Sequence, residues 1–175
     1  MTTENSMPKT ITAQLLTREA FAPFGEVIEK AGSETRLINN GMCTRHHDLA
    51  TVEIMGEGGR PSINIFAGRP YAMPLVLEMV ERHPLGSQAF IPMHERPFLV
   101  VVCPDEDGRP GTPSAFVTAP GQGVNFPAGL WHGVLITLDA PGDFVVVDRA
   151  GDGNNLEEHY FDEPWRIKLP KPVAG

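Results

Sequence analysis

Glycine and proline break this chain into short pieces: 18 of the one and 17 of the other, about a fifth of its 175 residues, are spread along the whole length. Neither belongs inside a helix, so long helices are excluded and many short strands joined by turns are the natural product. The separators are turn material, GEGGRP, PDEDGRPGTP, APGQG and DAPGD. Between them run period-two or continuously apolar segments: EVIE, DLATVEI, SINIF, YAMPLVLEMVE, SQAFIPM, PFLVVVC, SAFVTA, GVNF, WHGVLITL and DFVVVD, with ITAQLL ahead of them. Only Thr17 to Gly25 reads as helix, with Thr17 as N-cap, Glu19 in the first turn, apolar Ala20, Phe21 and Phe24, and Gly25 at the end. Pro23 keeps it short. The fold class that follows is all-β, a sandwich or barrel with one short N-terminal helix.

A hydrophobic share of 41% fills one core, and neither a repeat nor a linker divides the chain. Residues 1–175 therefore read as a single domain, with a loose polar tail over 1–10 and a C-terminal extension over 151–175. Trp165 and Ile167 give that extension apolar contacts, on the barrel or on a second subunit. The formal charge of −8 repels a phosphate backbone, which speaks against nucleic acid as a partner. No apolar stretch approaches the ~20 residues of a membrane helix. Cys43 and Cys103 make no disulfide framework, and the start MTTENSMPKT lacks a basic segment followed by an apolar run, so the expected location is cytoplasmic. The chain also lacks a Gly-rich phosphate loop, a Gly-x-Ser-x-Gly elbow and a Cys-x-x-Cys pair, which disfavours nucleotide, serine-hydrolase and zinc-ribbon chemistry.

The residues that can carry chemistry fall in three groups. In GQGVNFPAGLWH, Gly121, Pro127, Gly129 and His132 reproduce the spacing of the second motif of the cupin barrels, which ends on a metal-binding histidine. The Pro-x-Gly turn reverses the chain, and alternation then puts His132, Val134 and Ile136 on one face. In LVLEMVERHPLGSQ, alternation puts Leu75, Leu77, Met79, Glu81 and His83 on one face, so Glu81 and His83 enter the barrel together. Gln88 stands where cupins usually place a carboxylate. A pocket of His83, His132, Glu81 and Gln88 suits a labile Ni, Mn or Zn ion better than a permanent one, since Gln is a weak ligand and Glu a harder one than His.

The second group is Asn39, Asn40, Arg45, His46, His47 and Asp48, either a turn with solvated charges or a set of polar side chains gathered for binding. At most one of His46 and His47 can face an interior, and Asp48 shares the face of His46. The third is Arg149, an inward cation at a strand end, suited to a carboxylate, or the polar cap of a core strand. Cys103 reads as a buried hydrophobe, Trp131 as packing on the outer side of the barrel, and Asp105–Gly108 as an acidic turn.

Taken together, INNG (38–41), RHHDLA (45–50), VEI (52–54), SIN (62–64), ERHPLGSQAFIPM (81–93), GVN (123–125), WH (131–132) and DFVVVDR (143–149) resemble the ureidoglycolate lyase family over most of residues 12–150. The resemblance implies a cupin-like barrel (a double-stranded β-helix, or jelly roll), a homodimer, and cleavage of (S)-ureidoglycolate to glyoxylate and urea. It also implies a divalent metal, nickel foremost, as helper. Carbinolamide breakdown needs a base at the hydroxyl, an acid at the leaving nitrogen and a cation on the carboxylate. His83, His132 and Glu81 are the catalytic candidates, Arg45 or Arg149 the carboxylate holders, and Gln88 and Asn125 the partners of the ureido group, with His46 and Asp48 beside them. Two other readings compete: an amidohydrolase that releases ammonia, and a non-catalytic cupin that binds a small carboxylate.

Overall fold

The computed structural model describes residues 9–171; most of the expected tail and the last four residues lie outside this range. Two sheets form a nearly closed, cupin-like β-barrel. In the larger sheet the strands follow the spatial order Thr10–Thr12, Glu157–Lys168, Leu75–Arg82, Trp131–His132, Phe98–Cys103, Ser114–Val117, Gln14–Leu15. In the smaller one the order is Glu26–Ile28, Gly123–Phe126, Gln88–Pro92, Gly142–Ala150, Arg60–Gly68. The helix is a single turn, Arg18–Phe21, and the Thr17 side chain accepts from the Ala20 N–H as the capping pattern predicts.

Phe98–Cys103 shows why a continuous apolar run is compatible with a strand. All six residues are buried because the larger sheet is covered on both faces. Phe98, Val100 and Val102 join Phe90, Val124, Phe126, Phe144 and Phe21 between the sheets. Leu99, Val101 and Cys103 join Leu75, Leu77, Val80, Trp131 and Ile167 on the opposite face. Trp131 therefore packs away from the barrel interior, under the Arg82 guanidinium at 4.3 Å.

Four expectations are corrected. DLATVEI is not a strand: the strand lies earlier, Cys43–His47, paired in its own hairpin with Glu34–Ile38 across the turn Asn39-Asn40-Gly41. It ends because Asp48 takes φ 53°, and the N–H groups of Thr51 and Glu53 go to the Glu26 carboxylate and Ser87 hydroxyl instead of a ladder. WHGVLITL splits into Trp131–His132 and Ile136–Thr137, so His132 and Ile136 are buried while Val134 between them is partly exposed. Leu75 and Leu77 do not share a face with Glu81. The ladder with Glu157–Lys168 shifts register between Tyr160 and Trp165, and beyond it Val80, not Met79, joins Leu75 and Leu77 in the apolar cluster. The C-terminal extension settles on the barrel, where Glu157–Lys168 lies antiparallel to Leu75–Arg82, and Thr10, assigned to the tail, is paired with Arg166.

Candidate active site

The register change that moves Leu77 away leaves Glu81 opposite His132, their Cα atoms paired across adjacent strands. His132 arrives there through the Pro127-Ala128-Gly129 turn. Gly129 takes φ 80°, a conformation glycine adopts at little cost, and its N–H donates to the His83 carbonyl at 2.9 Å. The same turn thus ties the backbone of one histidine to the approach of the other. One ligand atom from each of Glu81, His83 and His132 lies within 4.8 Å of the others. The imidazole rings are 5.2 Å apart, and His132 stacks on Phe126 at 4.5 Å.

Both histidines have a defined tautomer. Nδ1 of His83 lies 2.7 Å from the Asn155 carbonyl, and Nδ1 of His132 lies 2.9 Å from the Gly133 carbonyl. A carbonyl only accepts, so each Nδ1 carries a proton and each Nε2 is the ring nitrogen turned to the site. Both Nε2 atoms are buried and have no hydrogen-bond partner, as does Oε1 of Gln88. Gln88 pairs with Phe126, whose ring stacks on His132, so it belongs to the same interior. Glu81 Oε1 is 3.8 Å from His83 Nε2.

Burial sets the protonation states. It holds the Glu81 carboxyl above the usual range, with Glu158 adding to the effect and His83 opposing it. It lowers His132 to about 3, against the Gly133 hydrogen bond and with His83 nearby, so this ring is neutral at pH 7. The two buried Nε2 atoms of His83 and His132 with the Glu81 carboxyl make a His2Glu donor set that suits a borderline divalent cation.

The other predicted residues are placed differently. Arg45 and His46 lie on the hairpin, Arg45 exposed opposite Arg36 and His46 bonded through Nδ1 to the Ser33 hydroxyl; Asp48 follows the strand end and is exposed. Asn125 is buried, but its amide donates to Glu26 and to the Thr51 carbonyl on the side of the strand away from Val124 and Phe126. Arg149 is the polar cap of its strand: its guanidinium donates to the carbonyls of Met55, Gly151 and Asp152.

Asn155 had no signal in the sequence. It sits in a polar stretch without periodicity, yet its carbonyl orients His83 and its side chain accepts from the Leu85 N–H. Glu53 is similar, accepting from the Ala128 N–H inside the turn before His132. Beside the triad, Glu81 also forms part of the wall of a cavity of about 550 Å³.

Comparison with known proteins accords with this geometry. The family model described as ureidoglycolate lyase matches residues 8–168. A ureidoglycolate lyase of Chelativorans sp. (strain BNC1) is 58% identical over 161 residues, 92% of this chain and 98% of the relative. One from Mesorhizobium japonicum is 58% identical over 91% of this chain and 98% of its own length, and one from Rhizobium etli (strain CFN 42) is 52% identical over 95% and 100%. With the family model covering nearly every described residue, the chain belongs to the ureidoglycolate lyase family.

Proposed function

We infer that the protein is a lyase that cleaves (S)-ureidoglycolate into glyoxylate and urea. The observation that carries this reading is the near full-length family match, and the convergence of Glu81, His83 and His132 supports it. The substrate is a carbinolamide. Its hydroxyl loses a proton as the carbon–oxygen double bond forms, the carbon–nitrogen bond breaks, and the ureido nitrogen gains a proton; no water is consumed.

Glu81 moves that proton. The residue lies opposite His132 and borders the cavity, which places it to accept from the hydroxyl and return the proton to the leaving nitrogen. His132 is too poor a base to act as an acid at neutral pH, and its Nε2, like that of His83, is buried without a hydrogen-bond partner. Glu81, His83 and His132 would hold a divalent metal, for which we propose nickel. Such an ion would supply Lewis acidity toward substrate oxygens. Gln88 Oε1, buried and unpartnered, accepts from the ureido N–H groups.

A homodimer is part of the same reading. Leu37 (70% exposed) and Met42 (87%) on the hairpin, with Ile63 (78%) and Ile65 (65%) on the edge strand Arg60–Gly68, offer apolar surface to a second copy. Light scattering reads this directly, and a monomer would remove that part. No helix among the described residues is long and apolar enough to cross a membrane. The two free cysteines suit the cytoplasm, where we place the enzyme.

The test is to supply (S)-ureidoglycolate and assay urea, ammonia and glyoxylate, before and after chelation and with nickel restored. Urea with glyoxylate supports the lyase. Ammonia in place of urea makes the protein an amidohydrolase, and no turnover at all leaves a binding protein. Full activity in both His83→Ala and His132→Ala would show that the reaction occurs elsewhere.

A further inference from the structure

The carboxylate of the substrate needs a cation, and the arginines named from the sequence are placed elsewhere, Arg149 on backbone carbonyls and Arg45 on the exposed hairpin. The cavity of about 550 Å³ that Glu81 helps to wall contains a different one, Arg69. The other polar residue of its lining is Tyr71, and Phe66, Phe90, Val134 and Leu135 make it otherwise apolar. Anion and cation therefore border one small space from different elements: Glu81 from the strand Leu75–Arg82, Arg69 from the segment that follows Arg60–Gly68.

The backbone under Arg69 is pinned on both sides. Gly68 ends the ladder opposite Gly142, and immediately after Arg69 the chain bridges Pro70 to Thr137, with the Tyr71 N–H donating to the Thr137 carbonyl at 3.1 Å. The side chain itself is exposed, with no ion pair or hydrogen bond among the described residues. By contrast Arg18, Arg36 and Arg82 are paired with carboxylates. In a chain of net charge −8, an uncommitted arginine lining the same cavity as the reacting carboxyl can serve as a local anion site.

We propose that Arg69 binds the carboxylate of the substrate and so sets the specificity of the site for small α-hydroxy and α-keto acids, orienting the carbinol carbon toward Glu81. This rests on the lyase reading, and the experiment separates the two. Wild type, Arg69→Ala and Arg69→Lys are compared on ureidoglycolate and on N-(hydroxymethyl)urea, the same carbinolamide without its carboxylate, by urea release. Losing a charge-assisted pair predicts an increase in KM for ureidoglycolate of about 10- to 100-fold in Arg69→Ala, with kcat much less affected and Arg69→Lys intermediate. The wild-type preference for ureidoglycolate over N-(hydroxymethyl)urea falls by the same factor. An unchanged KM, or an unchanged preference, overturns the proposal.

Calorimetric titration with glyoxylate supplies a readout that needs no turnover. Weaker binding to Arg69→Ala than to wild type supports the site, and equal binding overturns it. A wild-type protein that releases no urea sinks the lyase reading alone, because the glyoxylate titration still decides the role of Arg69.

Discussion

Replacing Arg149 by Met keeps the aliphatic stem and removes three donated hydrogen bonds, so it asks whether this arginine serves the substrate or the fold. Two of the bonds are good, Nε to Met55 and Nη2 to Asp152, both at 2.7 Å; the third, Nη1 to Gly151, is long at 3.3 Å. The residues that accept are exposed, so the released carbonyls can be hydrated, and the loss is limited to the net value of bonds from a charged donor. At about 1.5 kcal/mol for each good bond, the lower end of the range for charged groups, Arg149→Met costs about 3 kcal/mol. Urea unfolding at pH 7 by linear extrapolation measures this.

A second effect follows because the same loop continues to Asn155, which orients His83. Loosening a group that holds a ligand imidazole lowers activity or metal affinity on the order of tenfold or more. If Arg149→Met changed stability by less than about 0.5 kcal/mol and raised only KM, the guanidinium would be a substrate contact and the structural account would be wrong.

Three further outcomes are expected. In Gly25→Ala the new Cβ collides with the backbone oxygen of Asn125 and comes within 3.2 Å of Phe21 and Pro127, so urea unfolding should show a loss of about 1–3 kcal/mol; unchanged stability would mean that the strand pair yields freely. A thiol reagent should label one cysteine of the native protein, Cys43, because Cys103 is buried and burial pushes its thiol up to about 12; two fast equivalents before unfolding would contradict this. Asp105 is held below the usual carboxylate range by the Gly108 N–H first, then by the Trp131 indole N–H, with Arg82 beside it. A depressed folded-state pKa stabilises above the unfolded value of about 3.9 and loses that contribution as pH falls through the folded one. Thermal unfolding of wild type and Asp105→Asn should therefore differ at pH 7 and converge on acidification, and a pH-independent difference would refute the assignment.

What the chain determines by itself is local. Gly and Pro placement specifies short strands, Thr17 caps a helix that Pro23 keeps to one turn, and the Pro127 to Gly129 turn presents His132, because each depends on φ preferences and neighbours within a few residues. Glu81, His83 and His132 were legible for the same reason: alternation carries two of them, turn spacing the third.

Tertiary structure decided whatever depends on which strand meets which. A register shift in the ladder separates Leu75 and Leu77 from Glu81, and period two gives no warning of it. Arg149 and Asn125 each have a partner far away in sequence, the Met55 carbonyl for the one and the Glu26 carboxylate for the other. Arg69 becomes notable only once folding brings its segment to the cavity beside Glu81. Backbone propensity is a property of a few residues, whereas the partner of a guanidinium or an amide is chosen by the register and closure of the barrel, and those exist only when both sheets are assembled.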